Sequence, residues 1–269
     1  MAERAVALVT GASSGLGEVF ARRLAARGYD LMLVARREDR LKVISKELRA
    51  KHGTNCEVIV ADLASDADLA RVEQRIRNTP NLEFLVNNAG FGTLQKFWEE
   101  PLEGQDKMHR VHVLATMRLT HEALPGMIAR KKGYLINVSS VSGFIREGGG
   151  VSYPATKAWI NRFTEALAGE LRAANASVRV QALCPGFTYT EFHDVLEMDR
   201  SFVGKDWWLP AEFVVDESLA GIDRGELFVI PGTRYKVLSW CLRILPKATI
   251  RLLMPKGVKN RAKFVKQDA

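Results

Sequence analysis

Cysteine is scarce in this sequence of 269 residues, and the three cysteines that occur stand far apart. They are Cys56, Cys184 and Cys241. An odd number of widely separated cysteines supports neither a disulfide framework nor a zinc site, and it favours a reducing compartment. Metal ligands of other kinds are also sparse, because the histidines of the central helical segment have no acid cluster or ligand motif beside them. No metal site is expected.

Long apolar runs are missing as well. No uninterrupted apolar stretch reaches the length that crosses a bilayer. Glu3 and Arg4 lead directly into the first apolar segment, so nothing there resembles a signal peptide. The hydrophobic and charged fractions, 47% and 26%, are ordinary for a soluble globular protein. We therefore expect a cytoplasmic protein.

Acidic residues are almost absent from residues 233–269, which we call the tail. The tail contains ten Lys or Arg and one acid, Asp268, whereas residues 1–232 contain 29 basic and 30 acidic residues. The net charge of +8 thus belongs to the tail, and this argues against nucleic-acid binding by the whole protein. The apolar residues of its first half share one helical face. The tail is expected to cover the entrance of the active site, to form an oligomer contact, or to touch a membrane surface weakly.

Short apolar runs alternate with helical segments along the first 232 residues. This alternation predicts one doubly wound α/β domain with a seven-stranded parallel sheet and helices on both faces. No linker divides it, so residues 1–232 form one expected domain and residues 233–269 an extension. The predicted strands are residues 6–10, 31–35, 58–60, 84–86, 135–138, 178–183 and 227–230.

The first strand ends in a glycine-rich turn, Gly11-Ala-Ser-Ser-Gly15-Leu-Gly17, and a helical pattern follows it. We call residues 11–17 the glycine loop. Glycines let the backbone approach a pyrophosphate, and a helix N-terminus supplies free N–H groups and a positive dipole. The spacing TGxxxGxG in this context favours dinucleotide binding over a glycine turn without a ligand.

The second strand ends at Ala35 and is followed by Arg36 and Arg37. An acid at this position would bind the ribose hydroxyls of NAD, but here two guanidinium groups follow instead. Arginine suits a 2′-phosphate through charge and paired donors, so NADP(H) is the predicted cofactor. The alternative is two solvated arginines at the start of a charged helix.

The stretch from Ser139 to Lys157 follows the fifth predicted strand and ends in Tyr153-x-x-x-Lys157. At this spacing both side chains lie on one face of a helical turn. A cation beside a phenol favours phenolate and lowers its pKa, which makes a usable proton donor and acceptor. A nearby serine hydroxyl is suited to hold a carbonyl oxygen during protonation. The motif alone also fits an ordinary helix start.

Four motifs in order make the chain resemble the short-chain dehydrogenase/reductase family over about residues 4–232. They are Thr10–Gly17, Asn87–Gly90, Ser140 with Tyr153 and Lys157, and Pro185-Gly186 with Thr190. The resemblance implies a Rossmann-type fold and reversible hydride transfer between a nicotinamide and a carbonyl/alcohol pair. It assigns Tyr153 as acid/base, Lys157 to lowering the pKa of Tyr153 and binding ribose, and Ser140 to the substrate oxygen. Ser140 is preferred over Ser139 because it lies thirteen residues before Tyr153, which is the family's usual spacing.

The resemblance extends the cofactor site beyond the glycine loop. It places Asn88 beside the cofactor, and Thr188 and Thr190 near the carboxamide and diphosphate. Asp62, by its position after the third strand, is expected to meet the adenine edge. The complete expected set is Gly11, Ser13, Ser14, Gly15, Leu16, Gly17, Arg36, Arg37, Asp62, Leu63, Asn88, Ala89, Gly90, Tyr153, Lys157, Pro185, Gly186, Thr188 and Thr190.

One position departs from the family. An asparagine usually stands in the long helix after the Asn-Asn-Ala-Gly turn, where it is thought to kink the helix and free a carbonyl for a water chain to the lysine. This sequence has His112 there, in a helical pattern over 106–128 that we expect to break near Pro125. Histidine titrates near neutrality, so His112 is a candidate proton-relay residue. The alternatives are a weakened relay and an ordinary helix histidine.

The expected activity is NADPH-dependent reduction of apolar, aromatic or acyl-chain ketones. The tail and the VARREDRL stretch look most like 3-ketoacyl and hydroxysteroid-type reductases, and the aromatic segment 191–210 is either a substrate lid or plain packing. The family commonly forms dimers and tetramers, here through residues 106–128 and 152–173. The competing interpretations are an NADP(H)-binding sensor or scaffold with little catalysis, and a 3-ketoacyl thioester reductase at a membrane surface.

Overall fold

The computed structural model describes residues 4–93, 96–145, 151–192 and 203–244. A seven-stranded parallel sheet in the order β3-β2-β1-β4-β5-β6-β9 forms its centre, and β7 pairs with β8 in a separate small ladder. The strands are β1 Val6–Thr10, β2 Asp30–Ala35, β3 Cys56–Val60, β4 Leu82–Asn87, β5 Gly133–Val138, β6 Val178–Leu183, β7 Thr188–Tyr189, β8 Leu209–Pro210 and β9 Phe228–Val229.

Helices follow most of the strands and cover both faces of the sheet. They are α1 Gly15–Ala26, α2 Glu38–His52, α3 Asp66–Arg77, α4 Leu102–His109, α5 Thr116–Ala129, α6 Ser152–Ala173, α7 Ala211–Asp223 and α8 Thr233–Ile244. A π-helical turn, Arg110–Ala115, joins α4 to α5, and a 3₁₀ turn, Val141–Phe144, follows β5. This is the predicted single doubly wound domain, which the structure confirms.

The core lies in two layers because successive side chains of a strand point to opposite faces. Val9 and Leu33 join the layer against α1, α2 and α7. Leu8 and Met32 join the layer against α3, α5 and α6. Strands buried on both sides are expected to be continuously apolar, as the predicted runs are. Because the strands are parallel, the carboxyl ends of five of them, β1, β2, β4, β5 and β6, lie along the same edge of the sheet. The strand order reverses between β1 and β4 at this edge.

Two local predictions are corrected. The break expected near Pro125 does not occur, and α5 runs through Pro125 to Ala129. Proline removes a single hydrogen bond there, and only one helical turn follows it, so the loss is small. The sequence predicts that residues 191–210 are irregular, but the structure has short regular elements there: Lys205–Trp207 forms a 3₁₀ turn and Leu209 pairs with Thr188.

Candidate active site

The glycine loop connects β1 to α1 at the carboxyl edge of the sheet. Gly11 and Gly15 have φ values of 65° and 55°, which favour glycine. At Gly17 a Cβ atom would overlap the carbonyl of Gly11, so only glycine lets helix and loop approach this closely. Ser14 is the N-cap of α1 but makes no side-chain cap bond to the helix. The first N–H groups of α1 thus remain available to a phosphate.

Two side chains bind the glycine loop to β4. Asn88 donates from Nδ2 to the carbonyl of Thr10 at 2.9 Å, and the Thr10 hydroxyl accepts from the backbone N–H groups of Asn88 and Ala89. These bonds hold the turn after β4 against the turn after β1. Sequence reasoning assigned no role to Thr10, because its function depends on a partner 78 residues away.

The two arginines after β2 behave differently. Arg37 donates from Nε to Ser13 Oγ at 3.2 Å and from Nη1 to Glu191 Oε2 at 2.9 Å. Glu191 also bridges to Arg40, and the Arg37 bond, the largest favourable interaction, lowers the pKa of the Glu191 carboxyl. Arg36 is exposed and has no hydrogen-bond or ion-pair partner within the described ranges. The structure thus brings Arg37 to the glycine loop, and Glu191 was not foreseen.

The two serines that follow β5 differ in burial and in hydrogen bonding. Ser139 is buried, and its hydroxyl donates to the carbonyl of Lys157 at 2.9 Å. Ser140 is half-buried, caps the following 3₁₀ turn by accepting from the Ser142 N–H at 3.1 Å, and lies 3.5 Å from the Pro185 carbonyl. Ser139 is therefore committed to holding α6 in place, and Ser140 is the more accessible hydroxyl.

Lys157 is almost fully buried and reaches back from α6 to the sheet. Its Nζ donates to the carbonyl of Val138, the last residue of β5, at 2.8 Å. The same ammonium lies 5.6 Å from the centre of the Tyr153 ring. Burial lowers the pKa of Lys157 to about 8. The spacing of four residues thus places a desolvated cation beside the phenol, as the sequence predicted for this pair.

His112 lies in the π-helical turn with 1% of its surface exposed. Its Nε2 accepts from the N–H of Phe91 at 3.1 Å, and its Nδ1 lies 2.8 Å from the hydroxyl of Thr156. The ring centres of His112 and Tyr153 are 5.8 Å apart. Burial, followed by the charges of Lys157 and His109, holds the pKa of His112 well below its ordinary value. Sequence reasoning missed Thr156, which no local pattern marks.

The loop after β6 completes the edge. Thr188 is buried and donates to the Gly186 carbonyl at 3.0 Å, and Thr190 lies against Gly15 of the glycine loop. Pro185 is buried beside them. Tyr235 of α8 underlies this loop, where its hydroxyl accepts from the Phe187 N–H and donates to the Trp207 carbonyl. The first part of the tail thus packs on its own domain, and residues 245–269 lie outside the described residues.

The remaining predicted residues lie at the rim. Asp62 follows β3 and caps its own turn, accepting from the Ala64 N–H at 3.0 Å, while Leu63 is buried behind it. In the aromatic segment, Phe192 lies 5.8 Å from the Tyr153 ring. Trp208 is buried against Phe187, as packing predicts. The predicted lid residues 193–202 lie outside the described residues.

A polar network that the sequence did not reveal supports the site from below. Asn87 Nδ2 donates to Asn137 Oδ1 at 2.9 Å and to the Thr120 hydroxyl at 3.1 Å. Asn137 in turn donates to Thr164 at 3.0 Å. All four side chains are buried, so the bonds join α5, β4, β5 and α6 directly beneath the site.

These parts define a class. A phosphate-binding turn at the switch point of a parallel sheet, with Ser140 after β5 and with Tyr153 and Lys157 on the first turns of α6 beside it, is the arrangement of nicotinamide-dependent oxidoreductases with a Rossmann-type fold. The donors fit such a cofactor: free helix N–H groups for a pyrophosphate and guanidinium groups for a further phosphate. Within the described residues, no group of three or more His, Cys, Asp or Glu side chains is arranged to hold a metal.

Comparison with known proteins supports this class. A family model described as short chain dehydrogenase matches residues 5–201. The 3-oxoacyl-acyl-carrier-protein reductase FabG of Aquifex aeolicus is 33% identical over 192 residues, covering 71% of this chain and 77% of that protein. The chain belongs to the short-chain dehydrogenase/reductase family and is an oxidoreductase of that family.

Solved structures extend the match to nearly the whole chain. A short-chain dehydrogenase from Sphingobium yanoikuyae in complex with NADPH has a TM-score of 0.81 and 32% identity, covering 98% of both chains. The bulky-bulky ketone specific alcohol dehydrogenase from Comamonas testosteroni has a TM-score of 0.77 and 31% identity, covering 94% of this chain and 95% of that one. In the described part of the chain, every helix is too short or too polar to cross a membrane.

Proposed function

We propose that this protein is an NADPH-dependent ketone reductase in which Ser140, Tyr153 and Lys157 carry the chemistry. The observation that supports this most strongly is the buried ammonium of Lys157, which is bonded to Val138 and lies 5.6 Å from the Tyr153 ring. A desolvated cation at that distance stabilises the phenolate that remains after proton donation. Burying the Lys157 ammonium beside Tyr153 does not stabilise the fold, so the pair is better explained by chemistry.

Each side chain has a separate role in the proposed reaction. NADPH, when bound, supplies the hydride for the carbonyl carbon. The hydroxyl of Tyr153 gives its proton to the carbonyl oxygen, and Lys157 favours the phenolate left behind. The Ser140 hydroxyl donates to the same oxygen while negative charge develops on it. The Val138 carbonyl holds the Lys157 ammonium in position, and Ser139 anchors the helical turn from which it projects.

The cofactor site is assigned to two groups of residues. The glycine loop and the N-terminus of α1 bind the pyrophosphate, and Thr190 closes on Gly15 beside it. Arg37, held by Ser13, and the exposed Arg36 bind the 2′-phosphate. This assignment explains why two arginines follow β2 where a ribose-binding acid would stand.

The substrate class is an apolar, aromatic or acyl-chain ketone. Phe192 lies 5.8 Å from Tyr153, so an apolar wall adjoins the reacting group. Two related proteins support this class, since by their names one is a 3-oxoacyl-acyl-carrier-protein reductase and the other a bulky-bulky ketone specific alcohol dehydrogenase. A small polar sugar-like ketone would leave this wall without a partner.

The decisive experiment is the Tyr153→Phe variant, assayed with NADPH against apolar ketones, aryl ketones and 3-ketoacyl thioesters, with NADH in parallel. Removing the proton donor should lower kcat at least about a hundredfold, while the Kd for NADPH stays nearly unchanged. Tyr29→Phe is the matched control, because Tyr29 bonds to Glu83 and takes no part in the site. Near wild-type turnover by Tyr153→Phe would remove Tyr153 from the mechanism.

A further inference from the structure

The hydrogen bonds of His112 determine which of its nitrogens carries the proton. Phe91 N–H points at Nε2 at 3.1 Å, and an amide nitrogen can only donate. Nε2 must therefore be the unprotonated, accepting nitrogen, and the ring proton of the neutral histidine must sit on Nδ1. In this ring orientation the tautomer follows from a backbone N–H, which can only donate.

The proton on Nδ1 has one acceptor. Nδ1 lies 2.8 Å from Thr156 Oγ1, and the Thr156 hydroxyl donates in turn to the carbonyl of Tyr153 at 2.9 Å. The chain of bonds thus runs in one direction, from the Phe91 backbone through His112 and Thr156 to the backbone of Tyr153. It ends on an amide carbonyl, which neither binds nor releases protons near neutral pH.

The surroundings keep the ring neutral. Within the described residues, the ionisable groups near it are Lys157 and Tyr153 on α6 and His109 on α4, and no carboxylate of those residues is among the groups that shift its pKa. A second ring proton would set an N–H against the Phe91 N–H in a site that is 1% exposed. A Cβ at Gly90 would also lie 2.6 Å from Nε2, so the ring is confined on this side.

We propose that His112 is a positioning residue, a neutral histidine of fixed tautomer that holds the first turn of α6 through Thr156 and moves no proton. It replaces the relay interpretation offered by the sequence. The inference rests on the proposed role of Tyr153, because the turn that His112 holds is the one carrying that phenol. By fixing the Tyr153 carbonyl against the loop after β4, His112 sets the position of the acid/base group relative to Lys157.

The first test does not need activity. Side-chain ¹⁵N NMR of the full-length protein should show His112 as the neutral tautomer with its proton on Nδ1, assigned by the signals lost in His112→Phe. The pattern should stay the same from about pH 6 to pH 8. Protonation of Nε2 instead, or titration of His112 near its ordinary pKa, would overturn the proposal whether or not the protein reduces ketones.

The second test separates positioning from relay. Thr156→Val keeps the shape of Thr156 and removes the hydroxyl, and it should lower kcat roughly tenfold to a hundredfold, with little change in the Kd for NADPH. The pH dependence of kcat should keep its wild-type shape in both Thr156→Val and His112→Phe. The double variant should be no worse than the poorer single variant, since both break one chain of bonds.

Thr54→Val is the matched control, because Thr54 is fully buried and its hydroxyl has no hydrogen-bond partner among the described residues. It should retain wild-type kcat. Equal kcat values for Thr156→Val and Thr54→Val would show that the bond to Tyr153 has no effect on catalysis. A limb of the pH profile that disappears in His112→Phe would restore the relay. If His112→Phe does not fold, the kcat of Thr156→Val still shows whether the bonds from His112 through Thr156 to Tyr153 affect catalysis.

Discussion

At the scale of single residues, the burial of Lys157 shows that the proposed chemistry lowers the stability of the fold. An ammonium with 4% of its surface exposed loses most of its hydration, and the single bond to the Val138 carbonyl restores only part of it. The lowered pKa, about 8, records that imbalance. A buried lysine on α6 that lowers stability fits the proposed role, in which its charge acts on Tyr153.

This cost predicts a pH dependence of stability. The folded protein releases the Lys157 proton near pH 8, whereas the unfolded chain holds it up to about 10.5. Between those values the unfolded state binds more protons, so the free energy of unfolding contributed by Lys157 rises with pH. Relative to Lys157→Met, the wild type should gain about 3 kcal/mol across this window, measured by denaturant unfolding.

The control for that measurement is Lys46→Met, which removes the same charge from an exposed position on α2. Its difference from the wild type should stay flat over the same pH range. A wild type that loses stability relative to Lys157→Met above pH 8 would reverse the sign and contradict the buried-ammonium account.

At the scale of elements, α8 is the clearest addition made by the structure. Tyr235 fills the space under the Pro185-Gly186 turn and binds both Phe187 and Trp207 through its hydroxyl. Burial raises the pKa of Tyr235 to about 12. The turn that faces the cofactor site is therefore supported by a helix from the beginning of the tail.

Two glycine substitutions test this support. A Cβ at Gly186 would overlap the Tyr235 ring, so Gly186→Ala should lower the free energy of unfolding by about 1–3 kcal/mol. Gly169, in the middle of α6, has open space where its Cβ would stand, so Gly169→Ala should instead raise stability by about 0.5–1 kcal/mol. Thermal and denaturant unfolding measure both. Equal effects of the two substitutions would show that α8 does not support the turn.

At the scale of the whole molecule, cofactor binding should join loops that are far apart in the chain. The glycine loop, the arginines after β2 and Thr190 after β6 meet at one edge, and Glu191 already bridges Arg37 and Arg40. A ligand that binds only the folded state stabilises the entire fold according to its concentration and Kd. Preference for NADPH should therefore appear as a larger rise in Tm than NADH produces.

The double variant Arg36→Ala, Arg37→Ala should remove that preference. Losing the charge-assisted bonds to the 2′-phosphate should raise the Kd for NADPH roughly tenfold or more, with a much smaller change for NADH. Arg49→Ala, at the exposed far end of α2, is the control and should change neither. An equal loss for both cofactors would show that these arginines do not recognise the 2′-phosphate.

The sequence alone determined the parts that depend on near neighbours. The runs that became β1 and β6 were predicted with their observed limits, because apolar periodicity and turn residues act over a few positions. The pairing of Tyr153 with Lys157 followed in the same way from helical geometry. The family pattern supplied Ser140, and the structure gives a reason, since Ser139 is bound to Lys157.

Only the tertiary structure decided the contacts between distant segments. His112 meets Thr156 across 44 residues, Arg37 meets Glu191 across 154, and Phe187 meets Tyr235 across 48. No spacing marks such partners, because a side-chain hydrogen bond depends on which helix packs beside which strand and how closely. His112 is the clearest case: its ordinary chemistry suggests a proton carrier, whereas its burial between Phe91 and Thr156 is the observation behind the proposal that it is a neutral support.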